Sequence, residues 1–490
     1  MRTALLASSA LLAILVSGIP ARAAEPPLCD YDIALIEQEG WSLDVTIACR
    51  RLVEGFAFAD DFPSDWLTDF TDDRRRPLLQ DGPAVWGGSD GPVRGARYWI
   101  DLDGMAESID DFNSAKNSGR SVLVALSGIM PIPILAEPPD DTTLTLHFQA
   151  PYGGDIATSL PRVGDAYEIR ADEVDRASPV VFGTFERRTI AVPLPMSLAP
   201  GDAAADAKDL KGEIELVILD GALTATTDEL ANWVHATALA NAELWRGFPV
   251  ARSTVVAIPV PGRASVPFGR VTSTGGIVVR LMVGAEIEPR ALYDEWVLVH
   301  EFIHLGTPYI RDTGAWLNEG LATYLEPIVR YRAGWRSERS VWDEWTSFMG
   351  RGLEPMRKGL GKGNPYWGGA LYWLMADVEL RRLTEGQRGI EDCLRTILAH
   401  SGDVSVQART MATLSLCERD MPAPVLTELA QKHSAGAPTD LFALFDALGV
   451  KRSRTAILFD DAAPLAKVRQ WLLSGGPQAE PRPIPIPADL

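Results

Sequence analysis

The sequence predicts a multidomain α+β protein that is β-rich in its N-terminal part and mostly helical in its C-terminal part. With 490 residues the chain is too long for a single hydrophobic core and indicates about three domains. Stretches that alternate apolar and polar residues are common before residue 210, whereas apolar residues recur at helical spacing after residue 339. We therefore expect an N-terminal β-sandwich, a middle domain of strands and helices, and a C-terminal α-helical region.

Changes in this pattern divide the chain into a leader at 1–23, a β-rich domain at 24–210, a mixed domain at 211–382, a helical region at 383–476 and a proline-rich tail at 477–490. The β-rich domain has alternating stretches such as 42–47, 143–148 and 188–192. The mixed domain is expected to begin with a strand at 213–219, a helix at 227–244, and strands at 253–258 and 276–283. The tail is expected to be extended and poorly ordered.

The N-terminus has the pattern of a secretory signal peptide. An apolar run at 4–16 follows Arg2, and Ala21-Arg22-Ala23 fits a small-x-small cleavage site. The run is too short to span a membrane, and no later segment has eighteen uninterrupted apolar residues. We expect an exported protein, periplasmic or secreted, without stable membrane insertion.

The charge and the cysteines are compatible with export. The formal net charge of −20 disfavours binding to nucleic acid or to an anionic membrane. The four cysteines allow three pairings, of which the local one, Cys29–Cys49 with Cys393–Cys417, is favoured. Four buried thiols are the alternative, which an oxidising compartment disfavours. The sequence leaves the oligomeric state open.

The segment His300-Glu301-Phe302-Ile303-His304 predicts a metal centre. Two histidines four residues apart lie on one face of a helix, so both imidazoles can bind a single Zn²⁺. Glu301 follows the first histidine, where its carboxylate can take a proton from zinc-activated water. Two ordinary core histidines are the alternative, but polar groups buried without partners cost free energy.

We expect one helix from Pro289 to Leu305 to carry this motif. Proline suits the first helical position, and Trp296 and Val299 recur at helical spacing as part of a buried stripe. Gly306 is a normal helix stop.

A second helix follows, for which Asn318 is the expected N-cap and Arg332 the last residue. A catalytic zinc site needs a third protein ligand and an open fourth position. Glu319 would lie in the first turn, and the fourteen residues between His304 and Glu319 suffice for a return to the first helix. Glu319 is the expected third ligand, with Glu326 as the alternative.

Together these motifs resemble the gluzincin metallopeptidases. His-Glu-x-x-His followed by Trp316-Leu317-Asn318-Glu319-Gly320 is similar to the aminopeptidase N and glycyl aminopeptidase families. The resemblance implies that Glu319 binds one zinc ion, that residues 211–382 form a thermolysin-like domain, and that the chain hydrolyses peptide bonds. The shorter spacing between His304 and Glu319 indicates a divergent relative.

Those families also carry a Tyr-x-Lys-Gly-Ala element whose tyrosine stabilises the oxyanion. Tyr366-Trp367-Gly368-Gly369-Ala370 resembles this element, with Gly368 at the lysine position. The resemblance implies that Tyr366 donates a hydrogen bond to the tetrahedral intermediate. Tyr324 and Tyr372 are alternatives.

A third shared element is a substrate strand, and here the sequence departs from the family. Aminopeptidase N-like enzymes carry Gly-x-Met-Glu-Asn before the first zinc histidine, and its glutamate holds the substrate's amino group. The matching segment is expected at Gly275-Gly276-Ile277-Val278-Val279-Arg280, where Val278 replaces the glutamate. Gly275 and Gly276 would contact an extended peptide through the backbone. A plain β-bulge is the alternative.

The sequence thus predicts an exported, zinc-dependent metallopeptidase acting on peptides or proteins. Endopeptidase and atypical aminopeptidase activities are both open, and Val278 argues against the second. One alternative is a gluzincin-fold scaffold or binding protein that holds zinc without turnover. Another is hydrolysis of a non-peptide bond.

Overall fold

The structure is a computed structural model that describes residues 26–37, 39–59, 64–107, 115–137, 142–198, 210–312 and 314–488. The predicted signal peptide lies outside the described residues. The described chain forms several β-sheets and many helices, which confirms the predicted mixed α+β class. Both favoured disulfides, Cys29–Cys49 and Cys393–Cys417, are present. Within the described part, no helix has the length and apolar character needed to cross a membrane.

Three sheets form the N-terminal part around a shared apolar core. Their strands are β1 (Cys29–Glu37), β2 (Trp41–Val53), β3 (Gly55–Ala57), β4 (Leu67–Asp72), β5 (Leu78–Gln80), β6 (Val85–Gly88), β7 (Val93–Asp101), β8 (Ala115–Ser118), β9 (Ser121–Val124), β10 (Ile132–Ile134), β11 (Thr143–Gln149), β12 (Asp155–Thr158), β13 (Arg162–Val163), β14 (Ala166–Arg170) and β15 (Val180–Gly183). The strand orders are β13-β14-β11-β1-β2-β7-β4, β10-β3-β6-β5 and β12-β15-β9-β8. Cys29 and Cys49 are cross-strand partners in the β1–β2 pair, which places them for their disulfide.

A five-stranded sheet follows, with the order β16-β17-β18-β20-β19. Its strands are β16 (Phe185–Pro193), β17 (Lys211–Leu219), β18 (Arg252–Val260), β19 (Phe268–Thr272) and β20 (Val278–Gly284). Strands β17, β18 and β20 are parallel, whereas β16 and β19 are antiparallel edge strands. Strand β16 precedes residue 211 and pairs with β17, so this sheet begins before the domain boundary expected at residue 210.

Helices dominate the rest of the chain. After α1 (Leu102–Glu107) in the N-terminal part come α2 (Thr227–Trp245), α3 (Val297–Leu305), α4 (Ala315–Arg332), α5 (Glu338–Phe348), α6 (Leu353–Lys358), α7 (Pro365–Leu383), α8 (Ile390–Ser401), α9 (Thr410–Cys417), α10 (Val425–Ser434), α11 (Leu441–Leu448) and α12 (Ala466–Ser474). Two short strand pairs lie among them: β21 (Tyr309–Ile310) with β22 (Gln407–Ala408), and β23 (Val450–Arg452) with β24 (Ile457–Phe459). The Cys393–Cys417 disulfide joins α8 to α9.

The helix that carries the histidine motif starts later than predicted. A 3₁₀ helix spans Pro289–Asp294, and α3 begins only at Val297. The break leaves the carbonyl oxygen of Asp294 free to accept a hydrogen bond from Nη1 of Arg330 at 2.7 Å. Trp296 is consequently 47% exposed, and its expected place on a buried stripe is wrong.

The second helix starts earlier than predicted. Helix α4 begins at Ala315 with Gly314 as its N-cap, so Asn318 does not cap it. Asn318 instead donates from Nδ2 to the carbonyl oxygen of Pro308 at 3.0 Å, which ties α4 to the loop after α3. Glu319 therefore lies in the second turn of α4 instead of the first.

The proline-rich tail is extended, as expected, but it packs against the protein. The N–H of Ile484 donates to the carbonyl oxygen of Ala333 at 3.0 Å, and the indole of Trp335 donates to the carbonyl oxygen of Ile484 at 3.2 Å. Ile484 and Ile486 also contact core residues. The isoleucines between the prolines hold the segment against the protein. The expectation of a poorly ordered tail did not take these contacts into account.

Helices α4 and α7 cross at a point where only glycine fits. A Cβ atom on Gly320 would overlap the Cα atom of Gly369, and one on Gly369 would overlap the carbonyl oxygen of Trp316. Further along the same pair of helices, the hydroxyl of Tyr324 donates to Oδ2 of Asp377 at 2.8 Å. The crossing holds the N-terminus of α7 beside the first turns of α4.

Replacing Gly369 with alanine should destabilise the protein. Alanine gains up to about 1 kcal/mol of helix propensity, but a forced overlap in a packed interior costs roughly 1–3 kcal/mol. Because the overlapping atoms belong to the backbone of α4, relief requires the helices to separate. We expect a lower midpoint of thermal unfolding for Gly369→Ala. The control is Gly350→Ala, where a Cβ atom meets nothing within 4 Å, and an equal midpoint in both variants would contradict the prediction.

Candidate active site

Helix α3 presents His300, Glu301 and His304 to the floor of a cleft. The imidazole ring centroids lie 4.9 Å apart, as expected for residues one helical turn apart. His300 and Glu301 are buried and His304 is partly buried. The short helix therefore places two nitrogen ligands and one carboxylate in a region largely shielded from water.

Helix α4 brings Glu319 to the same point. Its Oε2 atom lies 3.2 Å from Nε2 of His300 and 3.5 Å from Nε2 of His304. The three ligand atoms all lie within 4.8 Å of one another. Two imidazoles and a carboxylate form a known donor set for catalytic zinc, so these residues fit Zn²⁺. Glu326, the alternative ligand, is instead buried in an ion pair with Arg330.

The pKa shifts of His300 and Glu319 favour the protonation states that bind a metal, whereas that of His304 favours its charged form. Burial lowers the pKa of His300 to about 4, so its imidazole is neutral at pH 7 and keeps a lone pair. Burial opposes the ionisation of Glu319, but hydrogen bonds to His300 and His304 hold the pKa of this carboxyl well below its usual range. Burial likewise favours neutral His304, yet the Glu319 and Glu301 carboxylates raise the pKa of His304. The site thus carries an ionised carboxylate between two imidazoles.

Glu301 lies between α3 and the edge strand β19. Burial raises its pKa to about 7, against the opposing charge of His304 and a hydrogen bond with the backbone of Val271. A Cβ atom on Gly269 would lie 2.7 Å from both Cγ of Glu301 and Cγ1 of Val297. Glycine at position 269 therefore leaves the space that the Glu301 side chain occupies. A carboxyl with a pKa near neutrality is suited to both accept and release a proton.

The structure does not bring Gly275 and Gly276 to the cleft. They form the connection from β19 to β20 with φ of +72° and +127°, and they pack against Leu160 and Ser159. Val278 is buried inside the sheet. The strand beside the candidate metal ligands is β19, which reads Phe-Gly-Arg-Val-Thr and contains no carboxylate.

Tyr366 lies at the N-terminus of α7 and lines the cleft. Its ring centroid is 6.2 Å from that of His300, and the side chain is partly exposed. Partial burial and the Glu319 and Glu301 carboxylates raise its pKa, so the phenol keeps its proton. The two alternative tyrosines do not line the cleft, and their hydroxyl groups are bonded elsewhere. Tyr324 donates to Asp377, and Tyr372 donates to the carbonyl oxygen of Leu426 at 2.8 Å.

Residues between α8 and α9 complete the cleft wall, and the sequence did not indicate them. The backbone of Val404 accepts a hydrogen bond from Ser273 at 2.9 Å, and its N–H donates to Leu305 at 3.2 Å. The pairing of β21 with β22 and the contact of Asp312 with Thr410 hold the loop between α3 and α4. These contacts span about a hundred residues of sequence, so local patterns carry no signal for them. Trp296 also lines the cleft, and its place as a large aromatic residue next to the histidine motif could have indicated this role.

Comparison with known proteins identifies the fold. No family model and no curated protein sequence matches the chain. Among solved structures, an aminopeptidase N family protein from Idiomarina loihiensis matches with a TM-score of 0.63 and 15% identity, over 86% of this chain and 78% of its own. The chain shares the fold of this aminopeptidase N family protein. The resemblance seen in the motifs is confirmed at the level of fold, and at 15% identity the likeness concerns the fold alone.

Two further structures match at lower similarity. An M1 zinc metallopeptidase from Deinococcus radiodurans has a TM-score of 0.47 and 15% identity, with 85% of this chain and 95% of that chain covered. Native yeast LTA4 hydrolase has a TM-score of 0.46 and 13% identity, with coverages of 88% and 73%.

Loss of Glu319 should weaken zinc binding. Glu319→Ala removes the only described carboxylate within reach of both histidine nitrogens. We expect the zinc dissociation constant to rise by more than the roughly 10–100-fold that loss of an outer-shell partner costs. Competition titration against a chromophoric chelator measures this constant. The matched control is Glu286→Ala at an exposed position, and equal zinc affinity in the two variants would exclude Glu319 as a ligand.

Proposed function

We propose that this protein is an exported, zinc-dependent metallopeptidase that hydrolyses peptide bonds. The observation that carries the proposal is the convergence of two imidazole nitrogens and a carboxylate oxygen within 4.8 Å, with the buried Glu301 carboxyl beside them in an open cleft. The shared fold supports it. His300, His304 and Glu319 would hold one zinc ion, which when bound acidifies water and polarises a carbonyl group.

Glu301 is the proposed general base. Its carboxylate accepts the proton of the attacking water and later delivers that proton to the nitrogen of the leaving amine. Gly269 leaves room for this carboxyl, and the backbone of Val271 holds it.

Tyr366 is the proposed donor to the developing oxyanion. Its phenol is protonated at neutral pH and lies on the same cleft as the metal ligands. A hydrogen bond that forms only as negative charge develops on the carbonyl oxygen lowers the barrier without tightening substrate binding. The glycine crossing of α4 and α7 holds Tyr366 beside Glu319.

Strand β19 is the proposed docking strand for an extended peptide, in place of Gly275 and Gly276. It is an edge strand of the sheet and lines the cleft next to Glu301. Its described residues offer no carboxylate for a substrate's amino group. We therefore propose that the enzyme is an endopeptidase, or an atypical aminopeptidase that recognises the amino terminus by another group.

The proposal also includes the division of the chain into domains. We propose a β-sandwich at 24–210, a thermolysin-like catalytic domain at 211–382 that also recruits strand β16, an α-helical region at 383–476 and the tail at 477–490. The two disulfides are compatible with an oxidising compartment, and the N-terminal signal pattern points to periplasmic location or secretion.

Glu301→Gln should abolish peptide hydrolysis while zinc remains bound. Loss of a general base costs typically 10²–10⁴-fold in rate, and glutamine occupies nearly the same space. Digestion of a mixed peptide library with mass-spectrometric readout, with and without a chelator, measures the loss. Full activity in the zinc-loaded variant would overturn the mechanism. If the wild-type protein cleaves no peptide in a chelator-sensitive way, the result would contradict the peptidase proposal and favour a zinc-binding scaffold without turnover.

Tyr366→Phe should lower kcat with little change in KM. Removal of one oxyanion donor costs about 10²–10³-fold in kcat. Steady-state kinetics on one cleaved peptide separates the two constants. Tyr372→Phe serves as the control, because that phenol donates to Leu426 within the core. A similar loss of kcat in both variants would show that the loss in Tyr366→Phe comes from disturbed folding.

A further inference from the structure

Three exposed aromatic side chains line the cleft of the candidate metal ligands. They are Trp296, Tyr309 and Tyr366, which are between 43% and 52% exposed. The cleft has a volume of about 620 Å³, within the roughly 300–1,000 Å³ typical of small-ligand pockets. A single exposed aromatic residue needs no explanation, whereas several in one concave site mark a surface that binds an apolar group.

Trp296 and Tyr366 both lie next to His300. The ring centroid of Trp296 is 5.4 Å from that of His300, and the interplanar angle of 86° makes this an edge-to-face contact. The ring centroid of Tyr366 is 6.2 Å from the same imidazole at an angle of 34°. Because His300 is a candidate zinc ligand, a substrate side chain that packs on Trp296 would belong to a residue close to the scissile bond.

Tryptophan at position 296 does not stabilise the helix that follows it. Trp296 is the N-cap of α3, and its side chain makes no capping hydrogen bond. Serine, threonine, aspartate and asparagine are favoured at this position, because their side-chain oxygens accept hydrogen bonds from the first N–H groups of the helix. The indole is also half exposed to water. Such departures from local preference are typical of functional sites.

Two contacts hold the backbone that precedes Trp296. Nη1 of Arg330 donates to the carbonyl oxygen of Asp294 at 2.7 Å, which ties this segment to α4. The backbone of Val266 donates a hydrogen bond to the Glu295 carboxylate, which ties the segment to the loop before β19. Trp296 is therefore attached to a backbone fixed on two sides. A side chain held in this way loses little conformational freedom when a ligand binds.

Strand β19 and helix α3 run side by side in the same direction. A Cβ atom on Gly269 would lie 2.7 Å from Cγ1 of Val297, near the start of both elements. Ser273, just after β19, donates to the backbone of Val404, whose N–H donates to Leu305 at the end of α3. Both elements therefore begin at one end of the cleft and finish at the other.

Trp296 lies at the end of the cleft where both elements begin, because it directly precedes α3. Glu301 lies midway along α3. A peptide docked along β19 would therefore pass Trp296 on one side of the scissile bond. Tyr309 lies toward the other end, where its N–H donates to the carbonyl oxygen of Val406 at 2.8 Å. The two aromatic residues thus serve different positions of the peptide.

The described lining of the cleft leaves no carboxylate for a basic substrate side chain. Its carboxylates belong to Glu301, Asp312 and Glu319. Glu301 is the proposed base, Glu319 is the candidate zinc ligand, and Asp312 accepts hydrogen bonds from the N–H and the hydroxyl of Thr410. A charged side chain beside Trp296 would lose hydration without gaining a partner, whereas an apolar one gains by leaving water.

We propose that Trp296 forms the wall of a subsite that binds a large apolar side chain of the peptide substrate beside the scissile bond. A phenylalanine side chain would pack edge-to-face or offset on the indole, which is favourable beyond the burial of apolar area alone. The subsite would select among peptides, whereas the zinc ligands and Glu301 act on the peptide bond itself. This inference rests on the proposed function for the identity of the ligand as a peptide.

Equilibrium binding of labelled peptides tests this subsite without requiring turnover. The probe protein is the full zinc-loaded chain carrying Glu301→Gln, and the readout is fluorescence anisotropy. The peptides share one host sequence of alanine and serine with a free amino terminus, a C-terminal label and one central guest residue. The guests are phenylalanine, leucine, alanine, lysine and glutamate. We expect the phenylalanine and leucine peptides to bind about tenfold more tightly than the alanine peptide, with no such gain for lysine or glutamate.

Variants assign this preference to Trp296. Adding Trp296→Ala should bring the phenylalanine and alanine peptides to within about twofold in Kd, and Trp296→Phe, which keeps an aromatic ring, should retain most of the preference. The matched control is Phe442→Ala, an exposed aromatic residue of α11 outside the described cleft lining, which should leave the preference unchanged. Thermal unfolding and zinc content check that each variant is folded and loaded.

Several outcomes would overturn the subsite. Equal Kd values for all guests on the parent protein would do so, as would tightest binding of the lysine peptide. A preference that survives in Trp296→Ala, or is lost equally in Phe442→Ala, would also contradict it.

Failure of the proposed function is distinguishable from failure of the subsite. The proposed function is read from chelator-sensitive cleavage of the peptide library by the wild-type protein, which does not depend on the guest series. Cleavage without an apolar preference in binding leaves the proposed function intact and removes this inference. An apolar preference that requires Trp296, without any cleavage, retains the binding subsite and removes the peptidase activity.

Discussion

The candidate site depends on the close approach of α4 and α7 at Gly320 and Gly369. Consecutive residues of α4 point in different directions, so Glu319 can face the histidines of α3 while Gly320 touches α7. A side chain at either glycine would push the helices apart. The distance from Glu319 to Tyr366 is thus controlled by a packing contact that involves neither residue. Because packed interiors are dense and resist compression, this contact also limits drift of the two groups relative to each other.

The remaining walls of the cleft come from distant parts of the chain. Strand β19 contributes Gly269 and the backbone of Val271. The backbone of Val404 is hydrogen-bonded to Ser273, just after β19, and to Leu305, the last residue of α3. Glu301 becomes buried only through this assembly. Its raised pKa is therefore a property of the tertiary structure, since the same carboxyl on an isolated helix would be solvated.

Much of this arrangement follows from sequence, and the exceptions have physical causes. The mixed class, the pairing of the cysteines and the grouping of His300, His304 and Glu319 follow from local patterns, because the residues involved lie on one helix or on elements that follow each other closely along the chain. The helix starts at Val297 and Ala315 were missed because the groups near them make tertiary hydrogen bonds, from Arg330 to Asp294 and from Asn318 to Pro308, that local patterns do not contain. Gly275 and Gly276, the predicted substrate segment, lie in the connection between β19 and β20, because glycine pairs mark a turn and a strand end equally well. Strand β19 is proposed as the docking strand in their place.

The attachment of the tail has a consequence for biosynthesis. Ile484 pairs with the end of α4, and Trp335, which donates to it, packs edge-on against Tyr293 just before α3 at a centroid distance of 5.4 Å. Arg332 of α4 donates to the carbonyl oxygen of Leu473 at 2.8 Å, so α12 is also needed to finish this region. These contacts join parts of the sequence that are up to 149 residues apart. During synthesis, the histidine motif therefore lacks these supporting contacts until α12 and the tail have also been made.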